Sequence, residues 1–281
     1  MTPILAFDLE TVPDVAGLRR LHPEWAALAD AQVADEAFAQ RRERTGGSDF
    51  LPLHQHRIVA IGCAFRDDSG FRVRCLGSAQ DGEARLIHDF FRLLDRYTPQ
   101  LVSWNGGGFD LPVLHYRGLV HGAVAARYWE HGDDDREFRY NNYTSRYHAR
   151  HTDLMDVLAM YQGRAAVPLD ELARLCGFAG KLGMAGDQVW GAYSAGRIED
   201  IRNYCETDVV NTYLLYCRFQ KMRGHLSAAA YEQEMRLVRD SLGAAGAAAP
   251  HWAEFLAAWQ EPAGGELPEL APAGAPAAGA R

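Results

Sequence analysis

The 281-residue sequence predicts an α/β protein in which a mixed sheet is flanked by helices. An apolar run, Ile4-Leu5-Ala6-Phe7-Asp8-Leu9-Glu10, reads as a central strand with two acids at its far end. Two further strand runs, Arg57 to Phe65 and Phe71 to Leu76, are joined by Asp67-Asp68-Ser69-Gly70, a hairpin signal with glycine in the turn. Beyond them, strand and helix patterns alternate. A meander followed by alternating elements is the pattern of a mixed sheet.

In chain order, Val12 to about Phe50 is helical and polar, and Arg41 to Asp49 reads as an exposed, mobile segment. Glu83 to Tyr97 places Leu86, Ile87, Phe90, Phe91 and Leu94 at helical spacing, and Gln100 to Trp104 is a short strand. A helix over Asp110 to Val120, a strand near Thr152 to Met155 and several helices from Leu169 to Arg223 follow. Residues 1–223 thus form the main domain, with 12–56 as an insertion and 224–260 as a C-terminal helical extension. Glu261 to Arg281 contains 15 Ala, Gly or Pro residues, a composition that cannot build a core and predicts a disordered tail.

Composition excludes several classes. With 48% hydrophobic and 23% charged residues the chain is neither wholly disordered nor collagen-like. No apolar run reaches the roughly 18 residues of a membrane span, and the N-terminus lacks the basic and apolar regions of a signal peptide, so a cytoplasmic protein is expected. The net charge of −8 argues against a duplex binder built on clustered basic residues, but not against an acidic centre that holds cations against a phosphodiester. The five cysteines form no C-x-x-C pair and are odd in number, which points to core residues rather than a disulfide scaffold or a thiolate zinc site.

Three motifs carry chemistry. Asp8 and Glu10, two apart on a strand, leave the same face; two neighbouring anions on a buried strand repel, and a divalent cation would remove that cost. A strand that merely ends at Glu10, with both acids solvated, is the alternative. Ser103-Trp104-Asn105-Gly106-Gly107-Gly108-Phe109-Asp110 lies between a strand and a helix, its glycines permitting close backbone approach, while Asp110 could also be a helix cap ahead of Pro112. Tyr204 and Asp208 share one face of a late helix, as such pairs do in many amphipathic helices.

Taken together, D-x-E, N-x-x-x-F-D and Y-x-x-x-D in this order resemble the three motifs of the DnaQ-like 3′-5′ exonucleases, in the subclass with tyrosine in the third motif. More closely, Leu5 to Pro13, Leu101 to Leu114, His151 to Leu158 and Tyr204 to Leu215 resemble the predicted exonuclease family related to the proofreading domain of family B DNA polymerases. The resemblance spans roughly residues 3 to 223. It implies a ribonuclease H-like fold and hydrolysis at the 3′ end of single-stranded or frayed nucleic acid, DNA favoured, with two Mg²⁺ or Mn²⁺ ions. By this resemblance Asp8 bridges the ions, Glu10 and Asp208 complete the first site, Asp110 helps hold the second, and Tyr204 orients the attacking water. Position 203, where the histidine subclass would carry its histidine, is Asn203.

Secondary candidates lie around these motifs. Phe138 to Arg150 interleaves aromatics with Arg139, Arg146 and Arg150, a surface suited to stacking bases and tracking phosphates, or a polar loop beside Asp133-Asp134-Asp135. Asn105 and Phe109 are candidates for the terminal nucleotide, and Lys181, in a glycine-rich loop, for a backbone phosphate. His54 and His56 lack a third ligand and read as surface residues; Asp153 and Asp156 rank below the main four acids. The competing function is a non-catalytic nucleic-acid-binding subunit of a polymerase or repair complex, which would have no physical need for all four carboxylates. Coincidental acidic motifs in an unrelated α/β protein are a third reading. Because only a short stretch follows residue 223, any proofreading role is expected in trans.

Overall fold

The computed structural model describes residues 1–246 and 249–260. The expected tail over 261–281 lies outside the described residues. Five strands, β1 (Ile4–Pro13), β2 (His56–Asp67), β3 (Gly70–Cys75), β4 (Gln100–Ser103) and β5 (His151–Asp153), form one sheet in the order β3-β2-β1-β4-β5. The first three pair antiparallel and β4 and β5 add in parallel, so the fold is the ribonuclease H-like mixed sheet.

Alternation along β1 decides which helix covers which face. Leu5, Phe7 and Leu9 are buried with Leu86, Ile87, Phe90 and Leu94 of α3 (Glu83–Tyr97) and with Leu111, Val113 and Leu114 of α4 (Asp110–His121). The opposite face is built from small residues, Ala6, Gly62 and Ala64, and α8 (Ile198–Met222) lies across it. A Cβ added at Gly62 would stand 2.9 Å from both the carbonyl oxygen and the Sγ of Cys205, so glycine sets how closely α8 approaches the strand.

Two helices close the α8 side. Val238 and Leu242 of α9 (Ala228–Ala245) and Trp252 and Phe255 of α10 (His251–Ala258) belong to the same core as α8. Glu234 of α9 accepts from Arg66 of β2 at 2.7 Å and from Tyr213 of α8 at 2.6 Å. The helical segment after residue 223 is therefore packed into the main core. On the opposite face Arg117 of α4, 3% exposed, bonds the buried carboxylates of Glu83 and Asp14, while Glu83 also accepts from the Ile58 amide. That network ties α4 to the start of α3 and to the sheet. Removing the arginine would take from two buried acids the cation they share, at a cost of about 3–5 kcal/mol.

Several boundaries differ from the sequence reading. The helix α2 (Asp30–Thr45) continues through Arg41–Thr45, expected as mobile, and stops where Gly46 takes a left-handed conformation; the exposed arginines there are a solvated helical face. β1 extends to Pro13, and α1 (Val15–Leu21) follows at once. The strand expected to reach Met155 ends at Asp153, whose side chain caps α5 (Leu154–Leu158) by accepting from the Asp156 amide. His56 is buried rather than on the surface, because its ring is bonded on both nitrogens, to Thr11 and to the Leu51 carbonyl. The remaining helices are α6 (Leu169–Leu175) and α7 (Val189–Ser194).

Gly62→Val should force α8 away from β2 and destabilise the protein by about 1–3 kcal/mol, read as a lowered thermal midpoint. An unchanged midpoint would mean that the Cys205 contact does not set the approach.

Candidate active site

Each acid arrives by a different route. Asp8 and Glu10 project from β1 onto the α8 face, and a register shift between Glu10 and Thr11 interrupts the β1–β2 ladder beside them before pairing resumes through Pro13 and His56. Parallel pairing of β1 with β4 stops at the Ala6–Val102 pair, so the next stretch of that strand edge is open to other partners. Asp110 takes the place of the missing strand: its Oδ1 accepts from the Leu9 amide at 2.9 Å. It is the first residue of α4 rather than the residue capping it, and its carboxylate faces away from its own helix to β1.

The glycine loop makes that reach feasible. Asn105, in left-handed backbone (φ 63°), has its amide on Asp153 Oδ1 at 2.9 Å, and the Gly107 amide is on Asp153 Oδ2 at 2.8 Å. Cβ atoms at Gly106 and Gly108 would meet Ser103 Oγ and Asn105 Oδ1 at 2.3 and 2.4 Å, so the run serves close packing. Asp153 thus organises the second motif. Sequence pattern ranked it low because nothing local shows that its two oxygens span two backbone amides 46 and 48 residues away.

From α8, Tyr204 and Asp208 present their side chains to the same centre, 4% and 3% exposed. One turn further on, Asn211 is fully buried and bonds both the amide and the carbonyl of Gly180, at 3.1 and 2.8 Å. Asp170 of α6 accepts from the Lys181 amide. These bonds bring the Lys181 ammonium to 3.0 Å from Asp208 Oδ2 and 2.5 Å from the Tyr204 hydroxyl. Lys181, expected on a phosphate, is thus lodged among the acids. Asn211 was overlooked in the sequence, although Tyr204, Asp208 and Asn211 at i, i+4 and i+7 do mark one helical face.

The electrostatics follow from burial and crowding. Asp8 is raised well above the ordinary carboxylate range by desolvation and then by Asp110 and Asp208; Glu10 is raised by desolvation, Asp8 and Asp208. Asp110 is raised to about 7 by burial, against hydrogen bonds from its own amide and that of Leu9. Asp208 is raised by burial even though Lys181 and Tyr204 pull it down. The Lys181 ammonium offsets Asp8, Glu10 and Asp208. The Tyr204 hydroxyl is pushed far above its usual value by burial and then by Asp208, Glu10 and Asp8, so it stays protonated.

The donor set fits hard cations. One oxygen each from Asp8 and Glu10 and the Cys205 Sγ lie within 4.8 Å of one another, and Asp208 Oδ1 is buried with no hydrogen-bond partner among the described residues. Burial holds the Cys205 thiol protonated, and it donates weakly to Asp8 Oδ2 at 3.7 Å, so it offers no thiolate. Carboxylate oxygens alone suit Mg²⁺ or Mn²⁺.

The substrate candidates divide. Asn105 is exposed at the loop, and Phe109 is partly buried against the rings of His56 and Phe50. Arg146 pairs with Asp156 at 2.7 Å and lies over the Tyr161 ring; Arg139 is exposed at the end of a short 3-10 helix. Among the described residues neither arginine bonds the carboxylates, because the loop that carries them leads into β5 at the sheet edge.

Residues 48–259 match the family of predicted 3′-5′ exonucleases related to the exonuclease domain of PolB. The matched region contains Asp110, Lys181, Tyr204 and Asp208, and β1 brings Asp8 and Glu10 to them from outside it. No curated protein matches the chain. Among solved structures, the family B DNA polymerase from the hyperthermophilic archaeon Pyrobaculum calidifontis is similar at 18% identity with a TM-score of 0.47, over 76% of this chain and 24% of the polymerase. The chain thus spans about a quarter of that polymerase's length. With most of its length matched and the motif residues gathered at one centre, the chain belongs to the predicted 3′-5′ exonuclease family related to the PolB exonuclease domain.

Proposed function

We propose that the protein is a metal-dependent 3′-5′ exonuclease that removes nucleotides from single-stranded or frayed 3′ ends, DNA favoured. The observation that carries this reading is the meeting of Asp8, Glu10, Asp110 and Asp208, all raised by burial, with one Asp208 oxygen that has no hydrogen-bond partner among the described residues. Asp8, Glu10 and Asp208 would hold one Mg²⁺ or Mn²⁺ ion, and Asp8 with Asp110 a second. When bound, such a pair supplies an activated water and neutralises the leaving oxygen.

The chain's own groups then have separable tasks. Tyr204, held protonated, donates its hydroxyl proton and accepts from Lys181, so it orients water rather than removing a proton. Lys181 fixes both Tyr204 and Asp208 and keeps a positive charge beside the incoming phosphodiester. Asn105, exposed on the glycine loop, would meet the terminal nucleotide. A polymerase or repair complex that exposes frayed 3′ ends is the corresponding partner.

Labelled DNA and RNA oligonucleotides incubated with Mg²⁺, Mn²⁺ or EDTA test the reading. Shortening should begin at the 3′ end and stop in EDTA; Asp8→Asn should lower the rate by about 10³-fold or more, and full activity in that variant would remove the two-ion account. Tyr204→Phe should lower kcat by about 10- to 100-fold while ions still bind, and an unchanged kcat would leave the tyrosine structural.

Stability gives an independent check. A carboxyl group whose folded value is raised binds its proton more tightly in the folded state, so the stability it contributes is present at low pH and lost as pH rises through the folded value, about 7 for Asp110. In EDTA the thermal midpoint should therefore fall between about pH 5 and pH 8, and the gain on adding Mg²⁺ should grow over the same interval. Asp8→Asn should raise the midpoint in EDTA at the upper pH. A Mg²⁺ gain independent of pH would count against ion binding by these acids.

A further inference from the structure

A cavity of about 320 Å³ lies between α1, the start of β2, the first residue of α3 and the last turn of α4, and none of the four acids of the candidate active site lines it. Part of its wall is the buried network of Arg117, Asp14 and Glu83, to which His121 adds its Nε2 on Glu83 at 2.7 Å. Every carboxylate oxygen of that network is engaged. Asp14 accepts from the Gly17 amide and from Arg117, and Glu83 accepts from the Ile58 amide, from two nitrogens of Arg117 and from His121. The negative charge of this wall is therefore met within the wall itself.

Two further guanidinium groups line the same cavity. Arg20, in the last turn of α1, is exposed, and Arg57, second in β2, is half-buried; among the described residues neither donates a hydrogen bond or joins an ion pair. Arg57 lies 5.9 Å from the centre of the Tyr193 ring, a contact that leaves its N–H groups free. Three guanidinium groups and an imidazole against two carboxylates give the cavity an excess of positive charge, in a chain whose net charge is −8. Paired guanidinium forks match the oxygens of a phosphate, and a phosphate monoester carries about −1.5 to −2 at neutral pH, which two arginines balance. The volume stands at the small end of ligand sites, roughly 300–1,000 Å³, which suits one phosphate or one mononucleotide rather than a strand. Val120, 52% exposed on the same wall, offers apolar surface to the rest of such a ligand.

We propose that this cavity binds a dianionic phosphate group through Arg20 and Arg57, either as inorganic phosphate or as the phosphate of a mononucleotide. Arg117 takes no direct part: it holds Asp14 and Glu83 away from the ligand by engaging their oxygens. The site differs in sign from the carboxylate centre, so it takes an anion without the help of a metal ion. It stands whether or not the chain cleaves nucleic acid, because none of its residues belongs to the three motifs.

Isothermal titration in EDTA at fixed ionic strength reads this site apart from the acids, because four carboxyl groups without cations repel phosphate. The probes are inorganic phosphate, a nucleoside 5′-monophosphate and the matching nucleoside. The full chain should bind at least one of the two phosphates and should not bind the nucleoside. Arg20→Gln and Arg57→Gln should each weaken that binding by about tenfold with the thermal midpoint of the free protein unchanged, whereas Arg236→Gln, at an exposed arginine of α9, should leave it as it is. Tighter binding of the monophosphate would assign a mononucleotide as the ligand, and equal or weaker binding would assign inorganic phosphate. Failure of the full chain to bind either phosphate would overturn the proposal, as would equal affinity in all three variants or a nucleoside that binds as tightly as its monophosphate.

Discussion

Repulsion among four buried carboxyl groups is the constraint around which this molecule is organised. Each is costly to take out of water, and Asp110 and Asp208 make Asp8 and Glu10 harder to ionise. Among the described residues one ammonium, that of Lys181, offsets the charge of Asp8, Glu10 and Asp208, and one oxygen of Asp208 has no hydrogen-bond partner. A fold selected only for stability would not keep such a cluster. Its donor set fits hard cations, because oxygen donors are plentiful and the one thiol nearby stays protonated.

The rest of the architecture supplies enough rigidity to hold these charges together. Small residues on one face of β1 and β2 let α8 come down onto the sheet, which brings Tyr204 and Asp208 against Asp8 and Glu10. The early end of β1–β4 pairing opens an amide that Asp110 occupies. On the far face, packing of α3 and α4 over Leu5, Phe7 and Leu9, together with the buried Arg117 network, fixes the helix from which Asp110 reaches across. Helices α9 and α10 extend the core behind α8, so the helix bearing the third motif is buried along much of its length.

Hydrogen bonds between distant segments then set the fine positions. Asp153 aligns the glycine loop, Asn211 and Asp170 place Lys181, and His56 ties the loop of Phe50 to Thr11. Asp153, Asn211 and His56 are buried polar side chains that satisfy backbone groups or a hydroxyl elsewhere in the chain, which is what their own burial requires. These residues touch the acids only indirectly, yet without them the second and third motifs would have no defined orientation.

Period-two and helical patterns, with motif order, were enough to place β1, α3 and α4 and to single out Asp8, Glu10, Asp110, Tyr204 and Asp208, because each signal is local and repeats within a few residues. Local pattern also went astray where a partner lay far off: His56 reads as a surface residue until Thr11 and the Leu51 carbonyl enclose it, and Lys181 reads as a solvated loop lysine until Asn211 anchors its loop. The side of the sheet taken by each helix, the lodging of an ammonium among the acids and the grouping of Phe50 with Phe109 were decided by tertiary contact alone. Such contacts join residues dozens to almost two hundred positions apart, and no periodicity in a one-dimensional string records which of them will meet.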